Sequence, residues 1–206
     1  MGEDRSEGWN AAAETFLAMR SDIGGALIGD WARRHRLRGK RVLDVGCGSG
    51  APISKALIEE GADVYGVDAA PRLVQRFKET FPQAEVACEP AQDSAFFHQR
   101  FDAAVSIGLI FLLSGDDQKT VLTRIVNHLT PGGRFIFSAP WQVCEWRDTI
   151  TDRLSRSLGE DAYRRILEKA GAETVSRLTD DNGNNYFDCA KKPAAAPPDR
   201  QPASAA

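Results

Sequence analysis

Residues 42–50 read Val-Leu-Asp-Val-Gly-Cys-Gly-Ser-Gly, and their types and spacing carry more chemical information than any other stretch of the chain. An apolar run, Val42, Leu43 and Val45, leads into glycines at alternate positions, Gly46, Gly48 and Gly50. Glycine lets the backbone turn sharply and lets a ligand approach with no Cβ in the way. One carboxylate, Asp44, lies inside the apolar run. A second, Asp68, ends the next apolar segment, eighteen residues beyond Gly50. A tight turn of free backbone flanked by carboxylates, which accept hydrogen bonds from hydroxyls or attract a cation, is the layout of a nucleotide-binding βαβ unit.

The glycines alone also fit a dinucleotide fingerprint, as Gly46-x-Gly48-x-x-Ala51. Asp44 argues against it, because a pyrophosphate at this turn would meet a nearby negative charge. A ligand bearing an ammonium or sulfonium group would be attracted instead, and S-adenosylmethionine carries both and no phosphate. On these residues the chain resembles the class I S-adenosylmethionine-dependent methyltransferases, whose first motif reads hydrophobic-Leu-Asp-hydrophobic-Gly-x-Gly-x-Gly. Gly66-Val67-Asp68, Phe101-Asp102 and Leu129-x-Pro131-Gly132-Gly133 follow in the family's order and spacing. More narrowly, Cys88-Glu89-x-x-x-Asp93-Ser94, Gly108-Leu109-x-Phe111-Leu112-Leu113, Ser155-x-Ser157-Leu158-Gly159 and Asn185-Tyr186 are similar to a bacterial small-molecule methyltransferase group. The resemblance spans residues 9–191.

The resemblance implies S-adenosylmethionine as cofactor and a small-molecule acceptor methylated on O, N or S. Methyl transfer is an in-line displacement on an already activated carbon, so the protein mainly binds, aligns and excludes water. No catalytic residue is therefore singled out, and no metal is expected. Asp68, with Ala69 beside it, is expected to accept hydrogen bonds from both ribose hydroxyls; its alternative is to cap the helix starting near Pro71. Asp44 is placed either near the methionine ammonium or behind the turn as its support. Gly46, Gly48 and Gly50 bring backbone to the ligand, and Cys47 is small enough to fit the turn. Gln92, Asp93 and Ser94 occupy the place where the family reads adenine, although Glu89-Pro90 replaces the family's usual Gly-Asp pair and Asp93 could instead cap a short helix. Ile107 is read as a cofactor neighbour or as sheet core.

Trp9, Phe16, Arg20, Trp141, Trp146 and Tyr186 are candidates for an acceptor pocket, with ordinary packing as the alternative. An aromatic wall would also favour a sulfonium by cation–π attraction. His35, His98 and His128 read as solvated residues rather than bases.

These residues need a scaffold, and the hydrophobic pattern supplies one. Helical spacing covers Trp9, Ala12, Ala13, Phe16 and Met19 or Arg20, then Ile23, Leu27, Ile28 and Trp31. Strands are expected at 41–45, 63–67, 84–88, 102–107 and 134–138, with helices at 52–60, 71–80, 116–129 and 158–170. Residues 139–157 carry few periodic signals and read as a long connection. Ser157 and Glu160 form a possible capping box. Strands near 173–179 and 185–191 flank the turn-forming stretch Asp180 to Asn184, a hairpin signal. Alternating strands and helices imply an α/β fold with a parallel sheet covered on both faces. The resemblance specifies a Rossmann-like, doubly wound, seven-stranded sheet of order 3-2-1-4-5-7-6 with the last strand antiparallel. We expect residues 1–38 to form a helical lid, 39–192 the methyltransferase domain, and 193–206, rich in Pro, Ala and Ser, a disordered tail.

The 206 residues suit one domain. A net charge of −3 disfavours nucleic acid as a partner. Arg33, Arg34, His35, Arg36, Arg38, Lys40 and Arg41 form the one sharp basic cluster. A solvated helix end is its default reading, and an RNA or protein substrate is the alternative. A non-catalytic cofactor-binding regulator is a further alternative, opposed by the intact Asp44, Gly46, Gly48, Gly50 and Asp68 set. No apolar run suits a membrane, and the N-terminus lacks an apolar signal region. Cys47, Cys88, Cys144 and Cys189 are too widely spaced for a metal site, and read as reduced thiols in the cytoplasm. The chain is expected to be a monomer or a homodimer.

Overall fold

A computed structural model describes residues 5–19 and 22–193. The described elements are, in order, α1 (Ala13–Met19), α2 (Gly25–Arg34), β1 (Arg41–Val45), α3 (Ile53–Glu59), β2 (Asp63–Asp68), α4 (Pro71–Thr80), β3 (Glu85–Cys88), β4 (Phe101–Ser106), α5 (Gly115–His128), β5 (Leu129–Ser138), β6 (Val143–Arg147), β7 (Leu154–Leu158), α6 (Glu160–Ala170), β8 (Ala172–Thr179) and β9 (Asn185–Lys191). Seven strands form one sheet in the order β3-β2-β1-β4-β5-β9-β8. β1 to β5 pair in parallel, and β9 runs antiparallel to both of its neighbours. This is the expected order once the two strands of a separate hairpin are counted.

That hairpin corrects the reading of 139–157. β6 and β7 pair antiparallel, with Trp146 opposite Ser155 and Cys144 opposite Ser157. Its residues alternate in exposure as a two-sided ribbon does, but charged and small polar side chains give it no continuous apolar face, and the period stays hidden in the sequence. The expected capping box is also absent. Gly159 holds the N-cap position of α6, and the Ser157 hydroxyl donates to the Pro140 carbonyl at 2.6 Å instead.

The sheet is covered on both faces. On one, Leu43, Val45, Val67, Phe135, Phe137 and Phe187 pack against α5 and α6 through Val121, Leu122, Ile125, Val126, Tyr163 and Leu167. On the other, Val42, Val64, Ala103, Val105 and Ile136 meet α2 and α3 through Ile28, Trp31, Ala32, Ile53 and Leu57. Each strand thus alternates its side chains between two cores. α2 is part of the second core, with Ile28 and Trp31 fully buried, while Ile23, expected on its apolar face, is exposed. Residues 5–19 lie apart from that core and pack Trp9, Ala13, Phe16 and Leu17 against Ala70 and Leu73 at the start of α4. The expected tail falls outside the described residues, except for Pro193. No helix among the described residues is long and apolar enough to cross a membrane.

Candidate functional site

The strand order reverses between β1 and β4, and a crevice opens beyond the carboxyl ends of strands at such a switch point. A cavity of about 150 Å³ lies there, lined by Gly46 and Gly48 after β1, Asp68 and Ala69 at the end of β2, Pro90, Ala91 and Gln92 after β3, and Ile107, Gly108 and Leu109 after β4. Its outer wall is Arg5, Ser6, Glu7, Trp9 and Phe16. Leu112, Leu113, Thr151, Arg153 and Ser155 close the far side.

Local chemistry explains why the glycine turn keeps its shape. The Gly46 and Cys47 amides both donate to the Val67 carbonyl, at 2.8 and 3.1 Å, which clips the turn onto β2. Gly46 has φ +79°, and a Cβ there would lie 2.7 Å from Leu109 Cβ. Any side chain at this position is therefore both strained and obstructed. Gly50 faces away from the cavity, where a Cβ would lie 2.6 Å from Phe81.

Asp68 has two parts to play. Its carboxylate accepts from the Gly48 amide at 2.9 Å and the Ala70 amide at 2.8 Å, joining the glycine turn to the entry of α4. It also stands in the cavity wall. A carboxylate has about four lone-pair sites, so both amides and hydroxyls of a ligand can be served. The capping and binding readings of Asp68 are compatible. Asp44, in contrast, is 1 % exposed and accepts from the Ser54 hydroxyl at 2.5 Å on α3. It stands behind the turn and outside the lining. Cys47 is buried against Phe77 and Phe81, on the side away from the cavity.

After β3 the expected trio separates. Gln92 lines the cavity. Asp93 turns to the surface and pairs with Arg5. Ser94 is fully buried, donates to the Glu89 carboxylate at 2.6 Å, and accepts from the Phe96 amide at 2.9 Å. Ile107 lies in the lining, with the loop held by a Gly108 amide donating to the Ser138 hydroxyl at 2.8 Å.

The aromatic candidates also divide. Trp9 and Phe16 meet edge to face, 5.5 Å apart, on the cavity wall. Arg20 lies outside the described residues. Trp141, Trp146 and Tyr186 are not in the lining. Trp141 packs on the core beneath the Arg177 guanidinium, 4.8 Å from its ring. Trp146 lies against Phe111, and Tyr186 is fully buried, donating to Asp180 at 2.8 Å. Burial and the adjacent Asp180 carboxylate push the Tyr186 phenol far above its usual range. Its hydroxyl is therefore a structural donor.

His35 is not solvated. Its imidazole is largely covered, 3.8 Å from Asp188. Burial and the charge of Arg134 lower its pKa, with Asp188 opposing them. None of the three histidines lines the cavity. Among the described residues no group of His, Cys, Asp and Glu could hold a metal ion.

Several cavity residues escaped the sequence reading. Leu109, Leu112 and Leu113 were visible as an apolar run, but not as a wall. Thr151, Arg153 and Ser155 belong to the hairpin and depend on its pairing. Arg5 and Glu7 reach the site through ion pairs with Asp93 and Arg153, the second at 3.2 Å. The basic run sits at the opposite end of β1, where the Arg41 amide donates to Asp102 and Arg33 pairs with Glu60.

Comparison with known proteins follows the same outline. Residues 42–133 match the family described as a methyltransferase domain. A ubiquinone biosynthesis O-methyltransferase of Cereibacter sphaeroides is 30 % identical over 158 residues, covering 68 % of this chain and 62 % of that protein. The cypemycin N-terminal methyltransferase of a Streptomyces species is 39 % identical over 113 residues, 53 % of this chain and 46 % of its own. The chain thus spans less than two thirds of the length of these curated relatives. The magnesium protoporphyrin IX methyltransferase of Synechocystis, solved with S-adenosylhomocysteine, superposes with a TM-score of 0.74 at 14 % identity, over 91 % of this chain and 98 % of that one. The 1,6-didemethyltoxoflavin N1-methyltransferase of Burkholderia thailandensis gives 0.68 at 20 % identity, over 94 % and 92 %. Since the matched family segment runs through the turn and strands that wall the cavity, and solved methyltransferases superpose over 91 % and 94 % of the chain, the chain belongs to the class I S-adenosylmethionine-dependent methyltransferases.

Proposed function

We propose that this protein transfers a methyl group from S-adenosylmethionine to a small-molecule acceptor. One observation carries the reading: the glycine turn and Asp68 face a single cavity that continues past the cofactor-binding residues to the hairpin wall. The residues fit the cofactor. Gly108, also in the lining, has no atom within 4 Å of where a Cβ would project. That leaves unobstructed space beside the turn.

In this reading the Asp68 carboxylate accepts from the ribose hydroxyls while keeping the Gly48 and Ala70 amides. Pro90, Ala91 and Gln92 flank the adenine, and Gly46 and Gly48 carry backbone against the amino-acid part. Asp44 acts from behind, holding the turn through Ser54. The cofactor, once bound, supplies a methyl carbon activated by its sulfonium. The chain aligns the acceptor with that carbon and keeps water out. Trp9, Phe16, Leu109, Leu112 and Leu113 supply the apolar cover.

Residues 5–19 act as a lid. Besides their apolar packing on Ala70 and Leu73, polar ties at the edges include Arg5 to Asp93, Glu7 to Arg153, and the Arg72 amide donating to the Asn10 side chain at 3.0 Å. Exposed pairs of this kind are individually weak and can open for ligand exchange. The protein is read as acting in the cytoplasm without a nucleic-acid partner, as a monomer or homodimer.

Calorimetry with S-adenosylmethionine, S-adenosylhomocysteine and NAD tests the cofactor. Binding of the first two at micromolar level, with none for NAD, supports the reading; NAD binding alone overturns it. Labelled cofactor and a size-fractionated extract then test the acceptor, and label must enter the low-mass fraction.

A further inference from the structure

Two serines of β7 point the same way, and their hydroxyls meet different fates. Ser155 and Ser157 are both buried, on the inward face of the β6–β7 hairpin. The Ser157 hydroxyl is fully used, donating to the Pro140 carbonyl at 2.6 Å and accepting from the Gly159 amide at 3.1 Å. Ser155 is 1 % exposed, its hydroxyl has no hydrogen-bond partner, and it stands in the cavity wall. Buried hydroxyls are paired in the great majority of cases, and one with no protein partner beside a cavity is open to a water or to a ligand group that displaces it.

The surroundings say what kind of group. Leu109, Leu112 and Leu113 share the cavity with Ser155. The cations at the rim are already matched, Arg153 by Glu7 at 3.2 Å and Arg5 by Asp93. The Thr151 hydroxyl donates to Asp148 at 2.8 Å. No net charge is therefore left at this end to select an anion or a cation. The wall is also stiff. Fully buried Gln118 donates through Nε2 to the Leu113 and Arg156 carbonyls, each at 3.0 Å, tying the leucine turn to β7 beside Ser155. Gln118 in turn accepts from the Tyr163 hydroxyl at 2.8 Å.

We propose that Ser155 anchors the acceptor, and that the acceptor is a small, mostly apolar, uncharged molecule presenting one hydrogen-bonding group, such as a phenolic hydroxyl, to the Ser155 hydroxyl. The inference rests on the methyltransferase reading above. A neighbouring hollow lined by Arg147, Arg153 and Arg156 together with Glu7 and Asp152, three cations to two anions, offers the competing outcome, an anionic acceptor.

Phenol and benzoate serve as probes in ligand-observed NMR titrations of the full chain, with S-adenosylhomocysteine present. Phenol is expected to bind, and benzoate to bind more weakly. Ser155→Ala is expected to weaken phenol roughly 5- to 20-fold. It leaves S-adenosylhomocysteine affinity unchanged and the melting temperature undiminished, because no protein partner of the hydroxyl is lost. Ser155→Thr, which keeps a hydroxyl, is expected to retain part of the affinity. Equal phenol affinity in wild type and Ser155→Ala, no phenol binding to the wild type, or a preference for benzoate overturns the proposal. If S-adenosylhomocysteine fails to bind the wild type while phenol binding still depends on Ser155, the pocket assignment stands and the methyltransferase reading falls.

Discussion

Two buried polar sites on this sheet are built on opposite terms. Beneath α2, Asp188 of β9 is 3 % exposed and its acceptor sites are filled. It receives Trp31 Nε1 at 3.1 Å, the Arg134 guanidinium at 3.0 and 2.9 Å, and the Ser176 hydroxyl at 3.3 Å. At the carboxyl ends of the strands, Ser155 is as deeply buried and its hydroxyl has no partner. A buried polar group that is fully satisfied holds the structure together; one left over beside a cavity is available to a ligand. Asp68 stands between the extremes, bonded to two amides and still facing the cavity.

The strongest way to break this comparison is at Asp188. Asp188→Ala strands Arg134 and leaves the Trp31 N–H unmet, so we expect a loss of about 3–5 kcal/mol in urea unfolding. Affinity for S-adenosylhomocysteine in the protein that remains folded should stay within a few-fold. If ligand affinity fell and stability held, the division between the two sites would be wrong.

Asp68→Ala should do the reverse. Loss of a charged acceptor of two hydroxyl bonds costs roughly 2–4 kcal/mol of binding, about 30- to 1000-fold in affinity. Because the Gly48 and Ala70 amides lose their acceptor too, stability should also fall, by about 1–2 kcal/mol, less than for Asp188→Ala. An unchanged dissociation constant by calorimetry would remove Asp68 from the site.

A deletion of residues 1–20 sharpens the contrast between core and lid. The sheet should remain folded by circular dichroism, since α1 packs on the start of α4 and contributes to neither of the two cores that cover the sheet, while turnover falls sharply. Turnover at the full rate would refute the lid.

A smaller effect belongs to pH. Burial and Arg134 hold the His35 pKa below its ordinary value, against the pull of Asp188. The unfolded chain then binds the proton more readily than the folded one. Stability contributed by neutral His35 is complete above about pH 6.5 and declines as pH falls through the folded value. In thermal melts, His35→Gln should flatten that decline. A slope unaltered by the substitution would mean that other groups cause it. Least of all should change in the variant with Arg33, Arg34, Arg36 and Arg38 all neutralised, because the run lies at the far end of β1 from the cavity. Activity within a few-fold is expected, and a large, salt-sensitive loss with the fold intact would favour an RNA substrate.

What could be read from the sequence alone was local. The turn at Gly46 and Gly48, Asp68 at the end of β2, and the helix and strand periods all depend on residues a few positions apart. The strands at 41–45 and 185–191 and the helix at 71–80 match β1, β9 and α4. Motif spacing likewise carried the family. Only the tertiary structure decided the rest, because each outcome depends on groups distant in the chain. His35 is covered because Arg134 and Asp188 arrive from β5 and β9. Trp141 and Trp146 leave the cavity because residues 143–158 form a hairpin, whose cross-strand pairing is invisible to period counting. Asp44 and Cys47 turn away because strand alternation and the glycine turn aim them at α3 and at Phe77. Ser155 differs from Ser157 only in which atoms happen to face it, and burial and hydrogen-bond satisfaction are properties of those neighbours rather than of the residue.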